Sequence, residues 1–467
     1  DWSSDVCSSD LKILITGATG FIGTRLIEGL IDSNRHDIRI LTRNRKKFLG
    51  ESCFPIEVFE WNVEDSSIES GALENVDTVI HLAGESVADG RWSEVKKRRI
   101  LESRIKGTAL LMDAIGKSST KPKRFISASA IGIYGNRTEE RLNSNSELGN
   151  DYLADVCKKW EDGCLNHNIP EMRSLCLRVG IVLGKDGGAL EKMLPPFKAG
   201  VAGILGSGDQ YMSWVHIDDL VGQLIFLLDS KSSNSVYNGV SPRPVSNLVF
   251  TKILGRVLKR PTLFPVPGFA LKIIFGEMSQ ILTNSQKVIP ENFMNEGYEF
   301  KFRSLKNALR DILKYSTKGE KTFKRYQWIK EEPKEVFGFF SNAKNLEKLT
   351  PSSLNFKVIG NDIPEIEEGT LIDYKLSLHG IPMKWQSKIS HHIKLKSFVD
   401  EQIKGPYSKW VHTHDFIPFK GGTLMRDEIV YKIPFGFIGN LFTGVFVKQE
   451  LRKIFNYRNK TIKQLFV

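Results

Sequence analysis

No stretch of the 467-residue sequence offers ~20 uninterrupted apolar residues, which excludes a membrane-spanning helix. The most apolar segment, Phe264 to Phe275, is short and broken by Pro265, Pro267 and Lys272. Cysteine is sparse: Cys7, Cys53, Cys157, Cys164 and Cys176 form no C-x-x-C pair and have no metal-site spacing. An odd, scattered set argues for reduced thiols and a cytoplasmic setting. The opening, Asp1 to Asp10, has neither a basic n-region nor an apolar h-region, so it does not read as a signal peptide. It reads instead as a vector-derived or sequencing-assembly scar, residues 1–10, outside the fold.

With 41% hydrophobic, 26% charged and 10% aromatic residues, the composition is globular, and the length suggests roughly two to three domains. The net charge of +12 is uneven: residues 320–467 hold 24 basic against 16 acidic residues, and the remainder 42 against 38. The densest part is Lys448, Arg452, Lys453, Arg458, Lys460 and Lys463. Such a run could make peripheral membrane contact or meet an acidic partner, although a solvated helix face is the commoner explanation. The basic residues are not interleaved with exposed aromatics in a groove-like pattern, so nucleic acid is not an expected partner.

From Leu11 the pattern alternates between strand and helix. Strands are expected at Leu11 to Thr16, Ile38 to Thr42, Ile56 to Trp61, Asp77 to Leu82, Arg124 to Ser129 and Arg173 to Leu183. Helices are expected up to Ile31, from Ser93 to Ile115 and from Asp151 to Asn166. That alternation predicts an α/β fold with a doubly wound parallel sheet. After residue 183 the Gly- and Pro-rich text (Gly187-Gly188, Pro195-Pro196, Gly203 to Gly208) reads as loops of a substrate lobe, closed by a helix from Lys306 to Leu313.

Thr16-Gly17-Ala18-Thr19-Gly20-Phe21-Ile22-Gly23 joins the first strand to the first helix. Glycines there permit a tight turn, and the helix N-terminus offers N–H groups to a pyrophosphate. Gly17, Thr19, Gly20, Phe21, Ile22 and Gly23 are therefore expected at a dinucleotide. The second strand ends in Arg43-Asn44-Arg45-Lys46-Lys47, where an NAD site would carry an acid. Arg43 and Arg45 suit the 2′-phosphate of NADP(H), preferred over NAD(H). Asn62 and Leu82-Ala83-Gly84 end the next strands, where the rest of the dinucleotide belongs.

These residues resemble the extended short-chain dehydrogenase/reductases with a Rossmann NAD(P)-binding sheet. Residues 11–315 resemble the "epimerase family" branch of that superfamily, the NAD-dependent epimerase/dehydratase-like proteins. The motifs that carry this resemblance are His81 to Ser86, Arg91-Trp92, Glu102-Ser103-Arg104, Ser127 to Gly135, Gly187 to Leu190, Gly206-Ser207-Gly208, Ser213 to Asp219 and Arg260-Pro261. Residues 265–313 are similar to that branch's small C-terminal lobe. The superfamily's chemistry needs a Ser, a Tyr and a Lys four residues after it. Here Leu153 falls at the Tyr place and Cys157 at the Lys place, while Ala130 takes the serine place with Ser129 beside it. Ser129, Tyr134 and Tyr152 are then the candidates for a nonstandard acid/base. Arg91, Trp92, Arg178, Trp214 and His216 are candidates for the substrate side.

A polar linker at residues 316–321 precedes an α+β pattern over 322–467. This part resembles the helix-grip (SRPBCC) superfamily of polyketide cyclases and START-like lipid-transfer proteins. The resemblance rests on Pro333, Leu349-Thr350-Pro351, Phe398 to Tyr407, Trp410 to Phe416 and Asp427 to Tyr431. It implies a curved antiparallel sheet gripping a long final helix around a cavity for a small hydrophobic ligand. His412 and His414 lie two apart on one strand face. Together with His391-His392 they could suggest a metal site, but no carboxylate or cysteine spacing supports one. An ordinary polar face with no metal is the expectation, and Trp385 and Trp410 read as core or cavity wall. The resemblances together imply an NADP-dependent oxidoreductase or epimerase-like enzyme with a fused hydrophobic-ligand module. The alternative is a noncatalytic NADP-binding regulator, like the cell-division inhibitors named in this branch.

Overall fold

The computed structural model describes residues 11–33, 35–51, 54, 56–185, 187–313, 320–360, 365–378, 380–434 and 436–466. Side chains are not described for 50, 51, 378, 436–446 and 448. Residues 1–10, residues 316–319 of the expected linker and the side chains at the first apolar positions of the final helix therefore lie outside what is described. The chain divides into two compact units, one running to Arg45 and from Ile56 to Leu313, the other taking Lys46–Pro55 and the C-terminal part.

In the first unit, short runs such as Lys12–Thr16, Thr78–His81, Arg124–Ala130 and Arg173–Val179 are apolar through their centres. Ile13, Leu14, Ile15, Val79, Ile80, Phe125 and Ile126 are all fully buried. Burial on both faces is what a parallel sheet covered by helices requires. The strands Lys12–Thr16, Asp37–Thr42 and Glu57–Asn62 run outward in one direction. Thr78–His81, Arg124–Ala130, Arg173–Val179 and Val236–Gly239 run outward in the other. The order reverses between Lys12–Thr16 and Thr78–His81, and the crevice beyond their carboxyl ends is where doubly wound sheets bind ligands. Helices Phe21–Ser33, Glu94–Lys117, Tyr152–Leu165 and Ile217–Asp229 make crossovers between these strands. Ser93 and Asp151 start two of them, accepting from Lys96 N–H (3.2 Å) and Ala154 N–H (2.9 Å).

Two expectations need correction. The strand expected over Arg173 to Leu183 breaks at Gly180. Its N–H bonds Gly239 O at 3.1 Å, whereas the next N–H, of Ile181, turns to Ser213 O at 2.8 Å. Ile181–Leu183 then pairs with Trp214–His216 outside the main sheet. Gly188–Ala199, expected as loop, is a helix despite Pro195 and Pro196. Leu190, Leu194 and Phe197 recur on one buried face, so core packing overrides the proline signal, and Gly200 in the left-handed region (φ +76°) ends the helix.

The second unit holds seven antiparallel strands in the order 321–329, 422–432, 409–419, 397–404, 381–393, 371–378 and 357–359. Register shifts at Gln386/Ser387 and Ile389/His391 bend the sheet. A long helix, Gly436–Leu465, ends the chain. Leu451, Phe455, Arg458 and Ile462 are buried at helical spacing, while Arg452, Lys453, Lys460 and Lys463 are exposed. Arg458 thus leaves the basic outer face on which the sequence pattern placed it. No helix among the described residues is long and apolar enough to cross a membrane.

Candidate functional site

At the crevice, Gly17 adopts φ +71°, and a Cβ there would lie 2.7 Å from the Leu82 carbonyl carbon and 2.8 Å from Ala83 N. Only glycine lets the two strand ends approach this closely. Thr16 Oγ1 accepts from the Ala83 N–H at 3.3 Å and is hydrogen-bonded to His81 Nδ1 at 2.7 Å. Burial pushes the His81 pKa down to about 3, with Arg104 adding repulsion, so the ring is neutral. That ring sits among Trp61, Phe125 and Trp160.

Thr19 and Gly20 are exposed. Phe21 turns its ring into a glycine cluster, where a Cβ on Gly188 would come within 3.0 Å of it and one on Gly187 within 2.6 Å. Its role is therefore packing by the side chain and an N–H at the helix start. The N–H groups of Phe21 and Ile22 have no acceptor inside their own helix. Gly23 is buried inside it. This cradle fits a pyrophosphate.

The two arginines expected at a 2′-phosphate differ. Arg45 is ion-paired with Glu69, and its N–H donates to Glu60 Oε1 at 2.8 Å. Arg43 is exposed and forms no hydrogen bond or ion pair among the described residues, although it lies near enough to Glu85 to help hold that carboxyl low. Asn62 is exposed and turned locally, bonding Asp65 and accepting from the Glu64 N–H at 2.9 Å. Leu82 and Ala83 are half-buried and Gly84 exposed, with a Cβ on Gly84 only 3.3 Å from the Arg104 guanidinium.

Ser129, Tyr134 and Arg178 come together, but in the interior. Arg178 grips Glu161 through Nε to Oε1 (2.9 Å) and Nη2 to Oε2 (2.8 Å), and donates from Nη1 to the Tyr134 hydroxyl (2.9 Å). Ser129 donates to Glu161 Oε1 at 2.6 Å, and the Tyr134 hydroxyl lies 2.7 Å from Asn238 Oδ1. Tyr134 is fully buried, and the other three are within a few per cent of it. Burial opposes the Arg178 charge, yet Glu161 and Tyr134 hold its pKa above the usual value; burial also pushes the Tyr134 phenol up. Both hydroxyls are committed to this network. They brace the fold and are not offered to a substrate in this arrangement.

Arg91, Trp92 and Tyr152 form a second group. Arg91 holds the carbonyls of Ile273 and Ile274 at the end of helix Gly268–Phe275. Trp92 donates to Val87 O at 2.8 Å and meets the Tyr152 ring edge-on at 5.3 Å. Tyr152 is half-buried and donates to Lys97 O at 2.8 Å; burial raises its pKa. Trp214 is core, donating to Arg243 O at 2.9 Å. His216 is a helix cap: its Nδ1 accepts from the Asp218 N–H at 3.0 Å and its ring stacks on Phe302 at 3.9 Å. Neither Trp214 nor His216 reaches an open surface, which corrects their placement on the substrate side.

The second unit encloses a cavity of about 220 Å³ between sheet and final helix, walled by Leu349, Ile372, Trp385, Trp410, Leu451 and Phe455 among others. Asp400, His412, His414 and Arg458 also line it. His412 and His414 are not the plain polar face expected from their spacing. Strand register sets Asp400 opposite His412 and Asp427 opposite His414. Burial and the neighbouring His414 lower the His412 pKa, whereas Asp400 and Asp427 raise that of His414 against the effect of burial. His391 and His392 take no part in this cluster.

The sequence profile of the NAD dependent epimerase/dehydratase family matches residues 13–238, and that of a domain of unknown function, DUF1731, matches 266–312. An Arabidopsis thaliana protein, epimerase family protein SDR39U1 homolog, chloroplastic, is 41% identical over 308 residues, 65% of this chain and 87% of that one. The chain belongs to the epimerase family. The Homo sapiens epimerase family protein SDR39U1 is 32% identical over 65% of this chain and 100% of its own length. A crystal structure of human SDR39U1 with NADPH superposes with a TM-score of 0.59 at 30% identity, over 65% of this chain and 99% of that one. UDP-glucuronic acid 4-epimerase from Bacillus cereus, at 18% identity and a TM-score of 0.53, shares the Rossmann-like fold. Leu153 and Cys157, which the sequence reading sets at the superfamily's Tyr and Lys places, lie on helix Tyr152–Leu165. Burial pushes the Cys157 thiol up to about 12, so it is neutral and supplies no charge.

Glu161, Asn238, Asp400 and Asp427 are the polar residues that sequence reasoning missed. Each is brought in by a neighbouring strand or helix, so no local spacing announces it. The one available signal was the two-residue step of the histidines, which marks a shared face without naming what stands opposite.

Proposed function

We propose that this protein is an NADP(H)-binding, epimerase-family oxidoreductase whose second unit is a helix-grip module for an apolar ligand. The observation that carries the reading is the cradle at Gly17 to Gly23, with Arg43 exposed and forming no hydrogen bond or ion pair among the described residues. The first-turn N–H groups would hold the pyrophosphate, and Arg43 the 2′-phosphate. The similarity to human SDR39U1, solved with NADPH, supports the same choice. A bound nicotinamide supplies hydride chemistry. Of the three acid/base candidates Tyr152 alone stays half-exposed, so the proton to a substrate oxygen is assigned to it. Antiparallel strands, a long terminal helix and a mostly apolar cavity support the helix-grip reading of the second unit. A reducing, cytoplasmic setting agrees with Cys157, Cys164 and Cys176 being buried and free. The exposed cations of the final helix support only weak peripheral attraction to an anionic membrane.

Titration with NADPH and NADH, followed by nicotinamide fluorescence, tests the cofactor reading. NADPH is expected to bind more tightly. Arg43→Ala should weaken NADPH by roughly 10- to 100-fold, as loss of a charged hydrogen bond implies, and leave NADH unchanged. Equal binding of both cofactors, unmoved by that substitution, defeats it. A second reading, a nucleotide-binding regulator without turnover, is favoured by Leu153 and Cys157, expected at the Tyr and Lys places, being apolar and neutral. It predicts tight NADPH binding with no consumption against any apolar carbonyl compound. Turnover that falls ~100-fold or more in Tyr152→Phe, at unchanged NADPH affinity, decides for the enzyme.

A further inference from the structure

We propose that Asp400, His412 and His414 form a binding site for one divalent transition-metal ion of the Zn²⁺ class, with its open coordination position facing the apolar cavity. Asp400 Oδ2 lies 3.5 Å from His412 Nδ1 and 3.4 Å from His414 Nε2. All three donor atoms fall within 4.8 Å of one another. A tetrahedral ion with donors at about 2.1 Å has donor–donor edges of about 3.4 Å, so two edges already match. Two imidazoles and one carboxylate are also the donor types that borderline metals select.

The surroundings of the triad are those of a metal centre. Ligating imidazoles characteristically donate their second N–H to a carboxylate, which fixes ring and tautomer. Here His412 Nε2 is hydrogen-bonded to Asp427 Oδ1 at 3.0 Å, while His414 Nδ1 lies 2.8 Å from the same oxygen as an ion-pair contact without hydrogen-bond geometry. Asp427 in turn stands 3.5 Å from Arg458 Nη1, and Asp400 Oδ1 accepts from Ser387 Oγ at 3.3 Å. The two imidazoles lie 3.8 Å apart, tilted by 41°, and Phe398 stacks on His414 at 4.4 Å. Asp400, His412 and His414 line the cavity whereas Asp427 does not, so three donors point inward and the fourth position is left to solvent or ligand. The ligand class that follows is an apolar molecule with one oxygen-donor head, such as an enol, hydroxyl or carboxylate. This assignment rests on the ligand-cavity reading for its use, but metal uptake is read without any organic ligand.

The full-length chain, stripped with chelator, is titrated with Co²⁺ and followed by visible absorption. One Co²⁺ per chain is expected, with the intense bands of a four-coordinate ion, displaced by equimolar Zn²⁺. Asp400→Asn and His414→Gln should each weaken binding at least 100-fold, and Asp427→Asn by 10- to 100-fold. Near-ultraviolet circular dichroism of the variants reports whether the unit stays folded. Failure of the wild-type chain to take up Co²⁺, bands of a six-coordinate ion, or tight binding retained in folded Asp400→Asn would each overturn the proposal. Displacement of an apolar fluorescent dye from the metal-free chain reads the cavity separately, so loss of the metal site leaves that reading to its own test.

Discussion

At the residue scale, similar side chains do different work according to what surrounds them. Tyr134 and Tyr152 are both phenols beside cations, yet one is sealed among Arg178, Asn238 and Glu161 and the other remains half-exposed. Removing the Tyr134 hydroxyl strands a donor on Arg178 and an acceptor on Asn238 in the interior. Tyr134→Phe should therefore destabilise the first unit by about 1–3 kcal/mol. Urea unfolding should show a lower midpoint, while NADPH affinity at 25 °C changes less than twofold. A variant as stable as the parent but without turnover would return Tyr134 to the chemistry. Arg178→Ala is harsher, since it leaves the buried Glu161 charge alone, and about 3–5 kcal/mol is expected to be lost.

Elements carry their own sensitivities, and helix Ile217–Asp229 depends on a neutral imidazole. His216 Nδ1 must stay unprotonated to accept from the Asp218 N–H. Burial holds the folded pKa down at about 4, against about 6.5 for an exposed histidine. Between those values the unfolded chain binds a proton that the folded chain refuses. This contribution is thus fully present above pH 6.5 and is lost as the pH falls toward 4, by about 3 kcal/mol in all. Thermal midpoints measured from pH 7 to 4.5 should fall, and His216→Asn, which keeps a cap, should flatten that slope. An unchanged slope would show that other groups govern acid stability. The same scale shows what was legible. Strands with apolar centres and helices with a regular apolar stripe were readable because each pattern is local. The helix through Pro195-Pro196 was not, because tertiary packing of Leu190, Leu194 and Phe197 outweighs two prolines. The glycine turn was readable because its chemistry is contiguous. The pairing of His412 and His414 with Asp400 and Asp427 depends on strand register, which no window of sequence displays.

For the whole molecule, the question is why a cofactor-binding unit and a ligand cavity share one chain. Two units joined by a short linker see each other at an effective concentration far above that of free proteins, commonly in the millimolar range. If the first unit turns over what the second holds, the rate per chain should not depend on dilution. Cutting the connection between Leu313 and Glu320, through an inserted protease site, and separating the two fragments removes that advantage, with Lys46–Pro55, which groups with the second unit, staying on the first fragment. NADPH consumption at low micromolar protein and limiting apolar carbonyl substrate should drop at least tenfold after cleavage. It should recover as both fragments are concentrated, because encounter becomes bimolecular. A rate that survives cleavage at every concentration would mean that the cavity serves a ligand of its own, and that fusion reflects joint regulation.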